Sequence, residues 1–167
     1  SDFDALIDNG SIDEKDSVNL LKNELVLVSP TDNQTVTSFD NVTKASQIAV
    51  GTPASVPAGK YALETFESMN ITEEIEPLLV YAEDVRTVLT YVERGEVDAG
   101  LVYRTDALTS EAVEITESAS EGSHEPIVYP LGMINSSENA EAAEKFYEFL
   151  QTEEALVIFE DYGFIRE

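Results

Sequence analysis

A chain of 167 residues, 43% of them hydrophobic, can bury a core as one ordinary domain or as two small lobes, which excludes disorder despite a net charge of −25. Thirty-four Asp and Glu against nine Lys and Arg exclude nucleic acid and anionic membrane surfaces as partners of the chain by itself, and suit a salty environment that screens self-repulsion. The absence of cysteine excludes disulfides, thiolate metal sites and cysteine nucleophiles, and no apolar run approaches the ~20 residues of a membrane span.

Phe3, Leu6 and Ile7 make a short stripe at helical spacing that Gly10 would end. Residues 13–23 read as a polar link. Leu25-Val26-Leu27-Val28, closed by Ser29-Pro30, reads as a buried strand. Residues 31–46, rich in Thr, Asn, Asp and Ser, read as irregular with one helical turn at 39–42. A regular alternation follows: strand 47–51, helix 57–69, strand 78–81, helix 84–94 and strand 97–103. The second helix is amphipathic, with Val85, Val88, Leu89 and Val92 at i, i+3, i+4 and i+7, and Arg94-Gly95 closes it. Strand–helix–strand–helix–strand in fewer than sixty residues predicts an α/β fold, a mainly parallel sheet flanked by helices with right-handed crossovers. A strand at 113–116, a polar loop around His124 and a second apolar run at 127–134 come next. Two helices end the chain. The first is expected to start with Ser137 as cap and to bury Ala143, Phe146, Phe149 and Leu150. The second is expected to start at Thr152, bury Ala155, Ile158 and Phe159, and stop at Gly163.

The candidate chemistry lies at the start of helix 57–69. Pro57 suits the first helical position, and Val56 ahead of it has no side-chain acceptor to cap the helix. The N–H groups of Ala58, Gly59 and Lys60 are therefore expected to be unpartnered at the positive end of the dipole, which makes either a solvated turn or an anion site. In the second helix Asp84 as cap would engage the N–H of Arg86 or Thr87 and leave that of Val85 unused. Tyr103 would add a hydroxyl at the end of the third strand. Ligands of open α/β sheets bind outside the carboxyl ends of the strands, where these groups meet. Neutral donors of this kind suit a compact anion with several oxygens. Lys60, Arg86 and Arg104 would offset the local field, unless Arg86 simply pairs with a neighbouring acid. Taken singly, a Pro-started turn, a cap and a packed Tyr have plain structural readings.

An enzyme is the natural rival. With so many acids, pairs such as Glu73-Glu74 and Glu153-Glu154 read as solvated faces, and His124 is the only histidine. No Gly-x-Ser-x-Gly elbow and no Asp-x-Asp-x-Asp-Gly calcium loop is present, so no catalytic residue is assigned.

Val56-Pro57-Ala58-Gly59-Lys60-Tyr61, Ala82-Glu83-Asp84-Val85-Arg86 and Gly95-Glu96-Val97-Asp98-Ala99-Gly100-Leu101-Val102-Tyr103 resemble, in order and spacing, the molybdate-binding proteins of bacterial and archaeal ABC importers, within the type II periplasmic binding proteins. Val85 stands 27 residues after Ala58, and Tyr103 stands 18 after Val85. Tyr129-Pro130 and Tyr162-Gly163-Phe164 are similar to that family's last third. The resemblance implies a two-lobed α/β protein that holds molybdate or tungstate as an oxyanion, through the N–H groups of Ala58 and Val85 and the hydroxyl of Tyr103. No side chain would coordinate the metal, and no cofactor would be used. It implies an ABC permease as partner and an extracytoplasmic location, periplasmic or anchored to the cell surface through an N-terminal segment. One departure matters. The family's earlier segment, with two serines that supply further donors, has no counterpart, and Ser1–Leu6 resembles the helix after it. The expectation is a first lobe that is incomplete, residues 1–29 with 128–167, and a second lobe, residues 30–127, with hinge crossings at 24–30 and 127–134. An incomplete lobe would expose sheet edge and apolar surface, so dimerisation or strand exchange is expected there. Sulfate, phosphate or a small organic anion as ligand, and a sensory or interaction module that has lost binding, stay open as alternatives.

Overall fold

A computed structural model of the chain describes residues 2–33 and 35–167. The elements run α1 (Asp2–Asp8), β1 (Ser17–Lys22), β2 (Leu25–Pro30), β3 (Ile48–Gly51), α2 (Pro57–Ser68), α3 (Thr72–Ile75), β4 (Leu79–Ala82), α4 (Val85–Glu93), β5 (Ala99–Tyr103), α5 (Arg104–Ala107), β6 (Val113–Ser118), β7 (Val128–Gly132), α6 (Ala140–Leu150), α7 (Glu153–Asp161) and β8 (Ile165–Arg166). They fall into two units: a larger one, Glu24–Pro126, and a smaller one made of the residues up to Asn23 together with Ile127–Glu167. The apolar runs at 24–30 and 127–134 supply strands to different units. β2, which the sequence reading set in the first lobe up to residue 29, lies in the sheet of the larger unit.

The larger unit is built on a five-stranded sheet in the order β4-β3-β5-β2-β6. β3 runs parallel to β4 and β5, as the alternation predicts, whereas β2 pairs antiparallel with both β5 and β6. The parallel part is thus confined to the three strands that follow the strand–helix alternation. All six residues of β2 are buried, which is why its sequence is a continuous apolar run rather than an alternation. Val26, Val28, Ala49 and Val102 share one core cluster with Val88, Leu89 and Val92 of α4. A side chain at Gly100 would run into Val88 and Val92, so this position lets α4 lie close to the sheet. α2 touches β3, β5 and β2 and buries Ala58, Ala62, Thr65 and Phe66. The turn expected near 39–42 is a short 3-10 helix, Phe39–Lys44, that buries Phe39 and Val42.

The smaller unit carries an antiparallel sheet in the order β7-β1-β8. Its middle strand corrects the sequence reading, which took residues 13–23 for a polar link. Between Asn19 and Leu21 the register slips against β7, so the apolar residues of β1 do not alternate, and only Leu21 is buried. α1 is where its stripe predicts, with Gly10 at φ +75° beyond it. α6 departs from expectation twice. Its cap position is Asn139 rather than Ser137, and none of its residues is buried: Phe146 is 60% and Phe149 41% exposed. In α7, Thr152 caps as expected by accepting the Ala155 N–H at 3.4 Å, and Ala155 is buried, but Ile158 is 51% exposed. The apolar stripes are real, but no described element covers these positions.

Candidate functional site

β4, β3 and β5 run in one direction, so their carboxyl ends share one edge of the sheet. The chain leaves β3 for β4 on one side and returns to β5 on the other, which makes this edge the point where the strand order reverses. Thr52 fixes the spacing there, because its N–H and its hydroxyl both donate to the Ala82 carbonyl, at 2.8 and 2.9 Å. The ends of β3 and β4, and with them the starts of α2 and α4, are tied through one residue.

The two helices begin differently. At α2, Val56 occupies the cap position in extended backbone (φ −120°, ψ 110°) with no side-chain bond to the helix, and Pro57 opens the first turn. The N–H groups of Gly59 and Lys60 donate to the Val56 carbonyl at 2.9 and 3.3 Å, which corrects the expectation that three donors stand unused. Ala58 is the one that remains. Its N–H has no hydrogen-bond partner among the described residues, and the residue is fully buried. Buried backbone donors are nearly always paired, so a helix start that shields one and leaves it unmatched calls for an acceptor from outside the chain. Gly59 makes this geometry feasible: a Cβ there would clash with the carbonyl of Gly51, and no other residue lets the helix start so close to the strand end.

At α4, Asp84 does cap. Its Oδ1 accepts the Thr87 N–H at 2.7 Å, and the carboxyl is held below its ordinary range by the backbone N–H of Thr87, then by that residue's hydroxyl, with the Arg86 N–H adding to it. The Val85 N–H, in the first helical position, has no partner among the described residues. Tyr103 ends β5 opposite Leu25, is half-buried, and stands at the cap position of α5. The structure therefore brings Ala58, Val85 and Tyr103 to one sheet edge within one unit.

The cations expected to offset the local field are otherwise engaged. Lys60 Nζ lies 2.7 Å from Glu125 and 3.4 Å from Glu64, and these acids, Glu125 foremost, raise its pKa. Arg104 lies 3.4 Å from Glu24. The Arg86 charge acts on Asp106, whose pKa burial pushes up and Arg86 partly restores. The N–H groups of Ala58 and Val85 at this edge are uncharged donors, and the three cations near them are engaged by acids. His124 is used locally: its Nδ1 lies 2.7 Å from the Glu125 carbonyl and its ring 5.4 Å from that of Tyr61. Among the described residues no group of three His, Asp or Glu could hold a metal ion, and no helix is long and apolar enough to cross a membrane. Sequence reasoning missed Thr52 and the Gly51–Gly59 approach. A glycine ending a strand and another in the first turn of the next helix were the available signal for the second.

Known proteins resemble the chain throughout its length. It is 48% identical over 166 residues to YvgL of Bacillus subtilis (strain 168), described as an ABC transporter substrate-binding lipoprotein, covering 99% of this chain and 64% of that protein. It is 34% identical over 169 residues to the molybdate-binding protein ModA of Escherichia coli (strain K12), covering 97% of this chain and 65% of the relative. The chain thus spans a little under two thirds of the length of these relatives. Among solved structures, the substrate binding domain of a molybdenum ABC transporter from Clostridium difficile superposes with a TM-score of 0.92 at 37% identity, over 99% of this chain and 72% of that one. The periplasmic molybdate-binding protein of Azotobacter vinelandii, at 17% identity and a TM-score of 0.78 over 98% of this chain and 74% of its own, shares the fold. That fold is the α/β architecture of the type II periplasmic binding proteins, and these relatives are solute-binding transport proteins, not enzymes. Residues 1–165 match the bacterial extracellular solute-binding proteins, and the chain belongs to that family.

Proposed function

We propose that the chain is the ligand-binding part of an extracytoplasmic solute-binding protein that captures molybdate, or the nearly identical tetrahedron of tungstate, and delivers it to an ABC permease. The observation that carries this reading is the buried, unmatched N–H of Ala58 at a helix start, on the same sheet edge as the N–H of Val85 and the end of β5 at Tyr103. The molybdate-binding relatives support the choice of oxyanion. Capture needs no bond making and no cofactor. Each N–H or hydroxyl that meets an anionic oxygen makes a charge-assisted hydrogen bond worth roughly 1.5–3 kcal/mol. Ala58, Val85 and Tyr103 would supply three of them. The expected upstream serines would supply further donors, and closure of a completed first lobe over the anion would create the form that docks on the permease.

Neutral donors do not separate molybdate from tungstate, or from sulfate except by size, so the test runs all three. Calorimetry is done on this chain and on the same chain preceded by the relatives' upstream segment. Heats from the longer chain with molybdate and tungstate, and weaker heats from the present chain, are expected. No heat from the longer chain with any tetrahedral oxyanion would overturn the ligand assignment.

A further inference from the structure

A helix start without a side-chain cap is prone to fray. Residues 119–126, which connect β6 to β7, lie along α2 at Lys60, Tyr61, Glu64 and Thr65. Glu64 is the hub. Its Oε2 accepts the Glu125 N–H at 2.9 Å, and its Oε1 stands 3.4 Å from Lys60 Nζ. The Glu125 carboxylate takes Lys60 Nζ at 2.7 Å from the other side. One turn on, the buried hydroxyls of Thr65 and Ser123 meet at 3.3 Å, and the rings of Tyr61 and His124 are in contact between these two points.

We propose that Glu64, Ser123 and Glu125 latch this connection onto α2 and are positioning residues for the Ala58 N–H, acting through the first two turns of the helix. The latch rests on geometry in this chain. Its bearing on capture rests on the oxyanion reading above. Neither acid offers a donor to an anion; each acts through Lys60 or the backbone. Exposed ion pairs are individually weak, so the effect is shared between the exposed and the buried contacts.

Amide hydrogen exchange on the present chain tests it. The Gly59 and Lys60 N–H groups, both bonded to the Val56 carbonyl, report the first turn of α2, and the Val88 N–H, bonded to the Asp84 carbonyl, reports the separately capped α4. Glu125→Gln or Ser123→Ala alone should speed exchange at 59 and 60 by about two- to five-fold, and the double variant by about tenfold, with Val88 unchanged. Unchanged protection at 59 and 60, or equal acceleration at 88, would overturn the latch. In the longer chain the double variant should also lose molybdate affinity several-fold. If the unsubstituted longer chain binds no tetrahedral oxyanion, the transport reading falls, and the exchange ratio still decides the latch.

Discussion

A methyl group at residue 59 would be driven into the carbonyl of Gly51, a backbone atom that cannot swing aside. Gly59→Ala is therefore expected to destabilise the larger unit by about 1–3 kcal/mol, the usual range for overpacking, in urea unfolding. It should weaken oxyanion binding further by pushing Ala58 off its mark. Tyr103→Phe removes only a hydroxyl. In the longer chain it should cost about tenfold or more in molybdate affinity, and unchanged affinity would remove Tyr103 from the site. Asp98 makes a pH prediction. Burial pushes its pKa up, but the Ser46 N–H at 2.6 Å and the Asn33 side-chain amide at 2.9 Å outweigh that, so the carboxyl titrates below its ordinary range. A depressed folded value stabilises the protein above the ordinary carboxylate range, and that contribution is lost as pH falls through the lowered one. Asp98→Asn should thus flatten the acid limb of a stability-against-pH curve while remaining folded near neutrality. An unaltered acid limb would count against this account.

The two site helices show which devices an element uses to begin. α4 carries its own cap, and Asp84→Ala should lower the thermal midpoint by a few degrees, whereas Asp84→Asn, which keeps the acceptor, should lower it much less. α2 has no cap to delete and depends on Pro57, on contact with Gly51 and on the 119–126 connection. This contrast also marks what could be read from the residues. Val85, Val88, Leu89 and Val92 announce a helix, its buried face and its start, because amphipathic period and capping are local. The free N–H of Val85 followed from the cap in the same way. The sharing of the Val56 carbonyl by Gly59 and Lys60, which reduces three expected donors to one, depends on how tightly the first turn winds. β1 stayed hidden because a register slip removes the alternation that marks a strand. Phe146 and Phe149, expected to be buried, are exposed although they stand at helical spacing. A stripe says that a helix seeks a partner surface, not where that surface is.

At the scale of the molecule, a body of net charge −25 exposes Phe146, Phe149, Val157 and Ile158 on α6 and α7. Apolar contact favours association and charge opposes it, so salt decides between them. Sedimentation should show monomers at low ionic strength and dimers as salt rises toward 1 M. Phe146→Ser with Phe149→Ser should abolish the dimers, and dimers persisting in that variant would place the contact elsewhere. The oxyanion reading proposed above has a kinetic corollary. Where cations steer an anion to its site, electrolyte slows the capture. Here the donors act only at contact while the surrounding body repels, so added electrolyte should quicken the encounter with a dianion. On that reading, capture by this chain quickens in brine and slows in fresh water.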